Sequence, residues 1–204
     1  MSVPDPRLEK ISAISQSVQD IPTYLEFVDI AGLVRGASTG EGLGNQFLGH
    51  IREVSAIIHV LRCFDGGDVT HVEGDVDPVR DAETVETELM LADLESLERR
   101  HDQTAKRAKG ADPEAKRQVP VMARVLEALR EGKPARTVNV SADEEPIFRA
   151  LQLITAKPVM YACNVDEDSA ATGNAHSERV AEMAAAQGQG CVVVSAAIEA
   201  EVAL

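Results

Sequence analysis

The chain has 204 residues, 44% apolar and 26% charged, a soluble globular composition with room for one core and an inserted subdomain. Its formal net charge of −14 argues against naked nucleic acid as the main partner and against sequence-specific DNA binding, because each phosphate contact needs a cation; a local basic patch stays open. Aromatic residues make up 3% and Trp is absent, so the core must rest on Val, Ile, Leu and Ala.

Cys63, Cys163 and Cys191 form no CxxC pair and are odd in number, which fits a reducing compartment and buried thiols acting as small hydrophobes. Whether any of them responds to oxidants is open at this level. No apolar run approaches bilayer-spanning length, and the N-terminus lacks a basic n-region and an h-region. The expectation is a cytoplasmic protein with no membrane contact.

In chain order, Val3-Pro4-Asp5-Pro6 reads as a stiff turn, followed by Leu8, Ile11, Ile14 and Val18 at helical spacing up to Pro22. Tyr24 to Ile30 reads as a buried strand, with Asp29 at the end of its apolar run. Five glycines from Gly32 to Gly44 then form a loop, and a helix runs from about Asn45 to Val54. Ala56 to Phe64 reads as a second strand, continuous enough in apolar character to be covered on both faces of a parallel sheet. His59 within it reads as a sheet residue, since no second ligand stands at metal spacing. Val69 to Asp81 reads as loop.

From about Ala82 to Lys109 a drifting apolar stripe predicts a long helix. Gly110-Ala111-Asp112-Pro113 stops it and starts another, with Asp112 as N-cap and Pro113 as the first helical residue. Ala115, Val119, Met122, Leu126 and Leu129 follow at heptad spacing, so the two helices form an antiparallel hairpin. Pro120 either kinks the second helix or marks its true start. Arg99, Arg100, Lys106, Arg107, Lys109, Lys116 and Arg117 gather towards the hairpin tip, as a solvated helix end or as a docking surface for an anionic partner such as ribosomal RNA.

Lys133 to Asp143 reads as a linker, closing on Ser141 as a cap with Glu144 three residues later, and a helix follows through Pro146 to Ile154. Pro158 to Asn164 is a third strand, Val180 to Gln187 a helix, and Cys191 to Ala197 a fourth strand. Alternating strands and helices predict an α/β fold with a doubly wound parallel sheet. The ligand site of such a sheet lies at the carboxyl ends of its strands. Three strands end in polar clusters: Asp29 to Gly32, Asn164 to Glu167, and Ser195 to Ala197.

The chemistry follows from the residue types. An aspartate closing a strand can reach the water shell of a magnesium ion, and Gly32 lets its own N–H approach a phosphate oxygen. Asp-x-x-Gly alone is also an ordinary strand-ending turn. The longer stretch FVDIAGLVRGASTGEGLGNQFLGHIRE, however, resembles the second switch region of the YchF family of Obg-related ATPases, and the likeness continues through Arg62-Cys63-Phe64, the hairpin, Asn164 to Glu167 and Ser195 to Ala197.

That resemblance implies a P-loop NTPase sheet of the G-domain type, incomplete here, with an inserted antiparallel α-helical coiled-coil hairpin. It divides the chain into 1–81, the first part of the nucleotide-binding domain with the switch region at 29–49; 82–143, the hairpin; and 144–204, the base-recognition part. It implies ATP, with GTP as second candidate, bound with Mg2+, and a ribosome or ribosomal subunit as partner. Asp29 would hold the magnesium through water, with Gly32 and Leu33 beside it as the switch residues. Asn164, Val165 and Glu167, with Ser195, Ala196 and Ala197, would face the purine.

Guanine-selective switches carry Asn-Lys-x-Asp, whereas this chain has Asn164-Val165-Asp166-Glu167, so a longer carboxylate stands where guanine's paired donors need a matched acceptor. Leu33 stands where a glutamine would orient the attacking water, and leucine cannot do so; intrinsic hydrolysis should be slow. No Gly-x-x-x-x-Gly-Lys-Ser loop, first-switch threonine or C-terminal TGS domain stands in these 204 residues. A fragment of a longer protein is the simplest explanation and a short paralogue the alternative. Without the loop's N–H groups and lysine, ATP binding should be weak and hydrolysis negligible.

Two functions are therefore in view: a ribosome-associated nucleotide switch, and a non-catalytic interaction module built on a degenerate NTPase sheet and hairpin. A metal hydrolase is a poor third, since His50, His59, His71, His101 and His176 show no ligand spacing.

Overall fold

The computed structural model describes residues 2–29, 43–65, 76–110 and 112–203, with side chains from residue 48 onward in the second of these stretches. The chain divides into two compact units, Met1–Gly32 and Leu33–Leu204.

In the first unit, helix α1 (Pro6–Ser15) starts at the Asp5 carboxylate, which accepts the Arg7 N–H at 2.9 Å and its guanidinium at 2.7 Å. Pro6 opens the helix without losing a hydrogen bond, since the first N–H groups of a helix have no partner inside it. Its apolar stripe is uncovered, with Ile11, Ile14 and Val18 all exposed. The expected strand from Tyr24 to Ile30 does not form over its described residues. Tyr24 makes a single antiparallel bridge to Ser2, and no ladder extends over residues 25–29. A strand is defined by its neighbour, and Phe27 and Val28 stay exposed.

The second unit holds a three-stranded parallel sheet in the order β1 (Ile57–Arg62), β2 (Val159–Asn164), β3 (Gly190–Val194). Leu61 pairs with Cys163 and Cys163 with Val193, which fixes the register. Helices α3 (Pro78–Ala108) and α6 (Ala175–Ala186) supply Ala82, Val180 and Ala184 to a core shared with Leu61, Cys63, Tyr161, Cys163 and Val165. The residues between these on the strands point the other way, and Ile58, Val60 and Val192 are exposed. The expectation that β1 is covered on both faces is thus corrected: its apolar residues alternate between a helix-covered face and an exposed one. His59 sits in the sheet with its ring 6.0 Å from that of Tyr161. The sheet with its flanking helices is broadly that of a P-loop NTPase-like α/β fold.

Helix α2 (Leu43–Glu53) follows the glycine-rich stretch. α3 begins at Pro78, four residues before the expected start, because Asp77 caps it by accepting the Arg80 N–H. α4 (Pro113–Arg130) begins as expected, with Asp112 accepting from Glu114 and Ala115 and with Pro113 leading the first turn. Pro120 is exposed and lies inside this continuous helix, so it does not mark the helix start. The buried stripe is broader than a heptad seam, adding Val121 and Val125 to Ala115, Met122, Leu126 and Leu129. Arg107 pairs with Asp112 and Glu98 with Arg130, so the chain reverses between the two helices.

After α4, residues 135–156 pack back on the pair: Leu151 and Leu153 share a core with Leu97, Met122, Val125 and Leu129. α5 (Glu145–Ala150) ends four residues short of the expected Ile154. Ahead of it, the Ser141 carbonyl accepts from Glu144 and Glu145, while the Glu144 carboxylate accepts the Ser141 N–H at 3.0 Å. α7 (Ala196–Val202) closes the described chain.

A buried carboxylate ties these pieces together. Asp93 of α3 accepts from the N–H groups of Ile154 at 3.0 Å and Thr155 at 2.8 Å, and from the Thr155 hydroxyl at 2.8 Å. The same hydroxyl accepts the Ala135 N–H, and Arg52 of α2 stands 4.0 Å from the carboxylate. Burial pushes the Asp93 carboxyl above its ordinary range, opposed by these hydrogen bonds and by Arg52. Lys157 then donates to the carbonyls of Arg52 and Val54, satisfying the C-terminal end of α2. Asp93→Ala leaves two buried N–H groups and a hydroxyl without an acceptor and should lower stability by about 3 kcal/mol or more in urea unfolding. Asp93→Asn, which keeps one acceptor oxygen, should lose about half as much. A loss below about 1 kcal/mol for the alanine variant would contradict this role.

Candidate functional site

β2 and β3 run parallel, so their carboxyl ends emerge at the same edge, and the chain turns there into polar segments. β2 ends at Asn164 and β3 at Val194, and these two residues are register partners. One step later the Val165 N–H donates to the Val194 carbonyl at 2.9 Å, extending the ladder, and Val165 is buried. The Asn164 side chain then crosses to the neighbouring segment: its Oδ1 accepts the Ala196 N–H at 2.9 Å. An N–H in the first turn of α7 has no partner within that helix, so an asparagine from another strand serves as its acceptor.

The expected fourth strand is shorter than the apolar run suggests. It stops at Val194, Ser195 takes the N-cap position, and Ala196 and Ala197 belong to the first turn of α7. Val192 and Val193 favour a strand, but the run Ala196-Ala197-Ile198-Glu199 favours a helix, and the change of conformation falls between them.

Phe64, Asn164, Val165, Asp166, Glu167, Asp168 and Ala197 surround an open depression of about 410 Å³ at this edge. Of the sequence-predicted residues, Asn164, Val165, Glu167 and Ala197 line it, and Ala196 is held to it through Asn164. Ser195 is buried, and its hydroxyl has no hydrogen-bond partner among the described residues. Asp29 is exposed in the unit Met1–Gly32, whereas Gly32 and Leu33 lie outside the described residues.

Phe64 was not among the predicted site residues. The signal for it was an aromatic residue closing the expected second strand, in the Arg62-Cys63-Phe64 stretch of a chain with only four Phe. Its ring lies under the Arg62 guanidinium, 4.7 Å from the centroid, and its carbonyl accepts from Arg62 Nε at 3.2 Å. Next to it, the Cys63 carbonyl accepts from Asn174 Nδ2 at 2.6 Å. Asn174 also caps α6 in a reciprocal box with Ser177. Gly173 makes that box possible: its φ is +76°, and a Cβ there would lie 2.6 Å from the Ser177 hydroxyl.

The donor set suits a flat, neutral heterocycle better than a polyphosphate. Phe64 offers an aromatic surface and Asn164 an amide nitrogen, while Asp166, Glu167 and Asp168 form an exposed acidic run beside them; the Ser195 hydroxyl is buried behind this lining. One of these carboxylates is engaged locally, Asp166 accepting the Ser169 N–H at 2.9 Å. Among the described residues, no group of three or more His, Cys, Asp and Glu side chains could hold a metal ion. The exposed carboxylates at this edge repel an anion, and the aromatic and amide groups beside them leave room for a flat neutral ring. Likewise, no described helix is long and apolar enough to cross a membrane.

Because the Ser195 hydroxyl is buried without a partner, Ser195→Ala should change the stability of the free chain by less than about 0.5 kcal/mol, or raise it. Urea unfolding checks this, and a loss above about 1.5 kcal/mol would reveal a hydrogen bond the geometry lacks.

No family model matches the chain. Individual proteins do. It is 43% identical over 205 residues to the ribosome-binding ATPase YchF of Bacillus subtilis, covering 100% of this chain and 56% of that protein. It is 48% identical over 201 residues to the ribosome-binding ATPase YchF of Haemophilus influenzae, covering 98% and 55%. Among solved structures, the YchF GTPase of Schizosaccharomyces pombe superposes with a TM-score of 0.80 at 35% identity, over 98% of this chain and 55% of that one. The chain therefore spans about half the length of the relatives it matches. The sequence likeness spans 98–100% of the chain at 43–48% identity and the fold likeness 98% of it: the chain belongs to the YchF family of Obg-like ATPases.

Proposed function

We propose that these 204 residues act as a non-catalytic module of YchF type: a base-recognising sheet edge joined to a helical interaction arm. The observation that carries this reading is the Asn164 Oδ1 to Ala196 N–H hydrogen bond, which draws two distant segments to one depression. Under it the chain divides into 1–81 and 144–204, the two parts of an incomplete G-type domain with the switch region at 29–49, and 82–143, the antiparallel coiled-coil hairpin.

In the depression a purine would lie against Phe64, with the Asn164 amide nitrogen meeting its ring edge and Val165 and Ala197 forming the walls, while Ser195 and Ala196 would support them from the turn into α7. Glu167 reaches further than the aspartate of guanine-selective proteins, which favours adenine. ATP is accordingly the nucleotide proposed, GTP the second candidate. Magnesium, when bound with the nucleotide, would offset the charge of its phosphates; by family resemblance Asp29 is the residue that would meet it through water, with Gly32 and Leu33 as the switch residues that follow in sequence.

The second reading is nucleotide hydrolysis as a ribosome-associated switch, favoured by the names of the bacterial relatives. The hairpin would then be the arm that meets the ribosome. Of the seven cations near its tip, Arg99 pairs with Glu95, Arg107 pairs with Asp112, and Arg100 donates to the Ala150 and Leu151 carbonyls, whereas Lys106, Lys109, Lys116 and Arg117 are exposed. Those four are the side chains available to ribosomal RNA. The setting is the reducing cytoplasm, where three free thiols persist.

Calorimetric titration separates the readings. The module reading predicts adenosine bound with a Kd of about 1 mM, guanosine more weakly, and ATP no tighter than adenosine, since its phosphates meet the acidic run. Micromolar ATP affinity with turnover would overturn it in favour of the switch, and equal affinities for adenosine and guanosine would remove the base assignment.

A further inference from the structure

The three cysteines sit side by side in the core beneath the sheet, one contributed at each of three adjacent strands. Cys163 of β2 and Cys191 of β3 are in direct contact, Sγ to Sγ 3.6 Å, on the face that α6 covers. Cys63 directly follows β1 and belongs to the same cluster. Cys163 is fully buried, whereas Cys191 is partly exposed. Cys191 is thus the outer residue of the pair, its sulfur packed against that of Cys163 behind it.

We propose that Cys163 and Cys191 form an oxidisable dithiol, with Cys191 as the site attacked by a hydroperoxide and Cys163 as the thiol that closes the disulfide. In the first step the Cys191 thiolate attacks one oxygen of hydrogen peroxide, the O–O bond breaks, and Cys191 becomes a sulfenic acid as hydroxide leaves and takes up the thiol proton as water. In the second, the Cys163 sulfur attacks the Cys191 sulfur, the S–O bond breaks, and a second water departs with the Cys163 proton. The two sulfurs together lose two electrons, and the peroxide gains them.

Cys191 pairs with Tyr161 and Cys163 with Val193, so the two sulfurs meet on a diagonal between the strands, and closing from 3.6 Å to the roughly 2.05 Å of a disulfide asks for side-chain rotation together with a small backbone shift. The bond would join β2 to β3 just below Asn164 and Ser195, so it would also fix the edge that carries the depression. Cys63 is the competitor. The neighbouring Cys163 thiol holds it below the ordinary thiol range, but it is fully buried. Burial pushes the Cys191 thiol up to about 11, with Cys163 adding to the shift, so the reaction belongs at mildly alkaline pH.

The experiment treats the folded chain with hydrogen peroxide at about pH 9 and reads intact mass, then maps linked peptides without reduction. The expected product is about 2 Da lighter, reverts with a reducing agent, and yields a peptide pair linking Cys163 to Cys191. Cys63→Ser should give the same product, while Cys191→Ser should slow loss of the Cys163 thiol by at least about tenfold. A Cys63–Cys163 link, accumulation of sulfinic acid at Cys191, or a linked product that forms only in denaturant would each overturn the proposal. The wild-type peptide map decides even if a serine variant fails to fold.

Discussion

An asparagine side chain that leaves its own strand to satisfy the first turn of a helix on the neighbouring strand is the constraint on which the candidate site depends. Parallel pairing brings the ends of β2 and β3 to one edge, but pairing alone leaves the segments beyond them free to diverge. The Asn164 Oδ1 to Ala196 N–H bond prevents that divergence. It occupies the acceptor end of the amide and leaves the donor end available. The same residue thus positions the wall of the depression and presents a hydrogen-bond donor to it. On the opposite side, Asn174 performs a related task, capping α6 while holding the Cys63 carbonyl next to Phe64.

A second constraint holds the helical arm to the sheet. Asp93 is a buried carboxylate inside the apolar stripe of α3, four residues after Leu89 and four before Leu97, and it reaches the backbone that leads into β2. With Arg52 beside it and Lys157 capping α2, three separated segments meet around one carboxylate. A buried acid is tolerated there because its oxygens take three hydrogen bonds and a cation stands near. Movement of α2 would therefore be felt at the base of the α3–α4 pair.

Much of this was legible in the sequence. The α/β alternation, the helix stop at Gly110, the Asp112-Pro113 restart and the convergence of Asn164 with Ser195 to Ala197 all followed from local chemistry, because capping and strand propensity are short-range effects. The same Asp-Pro signature occurs at Asp5-Pro6 and Asp77-Pro78, and in all three places it starts a helix. Its meaning is plain only once a helix is seen to follow, which is why Pro78 read as loop. What could not be read was whether an apolar run has a neighbour. Tyr24 to Val28 has strand-like composition without a ladder, and the alternate residues of β1 have helices on one face only, since both outcomes are decided by distant segments. Asp93 escaped notice for the same reason, looking like an interruption of a stripe, while Phe64 stood out only as the end of a strand within the Arg62-Cys63-Phe64 stretch and not as a site residue.

The account rests on Asn164 fixing the neighbouring segment, and amide hydrogen exchange at Ala196 measures that directly. In the wild-type chain the Ala196 N–H should exchange about tenfold more slowly than in Asn164→Ala, with the amides of β2 and β3 unchanged. Equal exchange at Ala196 in the two proteins would show that the segments meet without this bond, and the site described here would have to be rebuilt on other contacts.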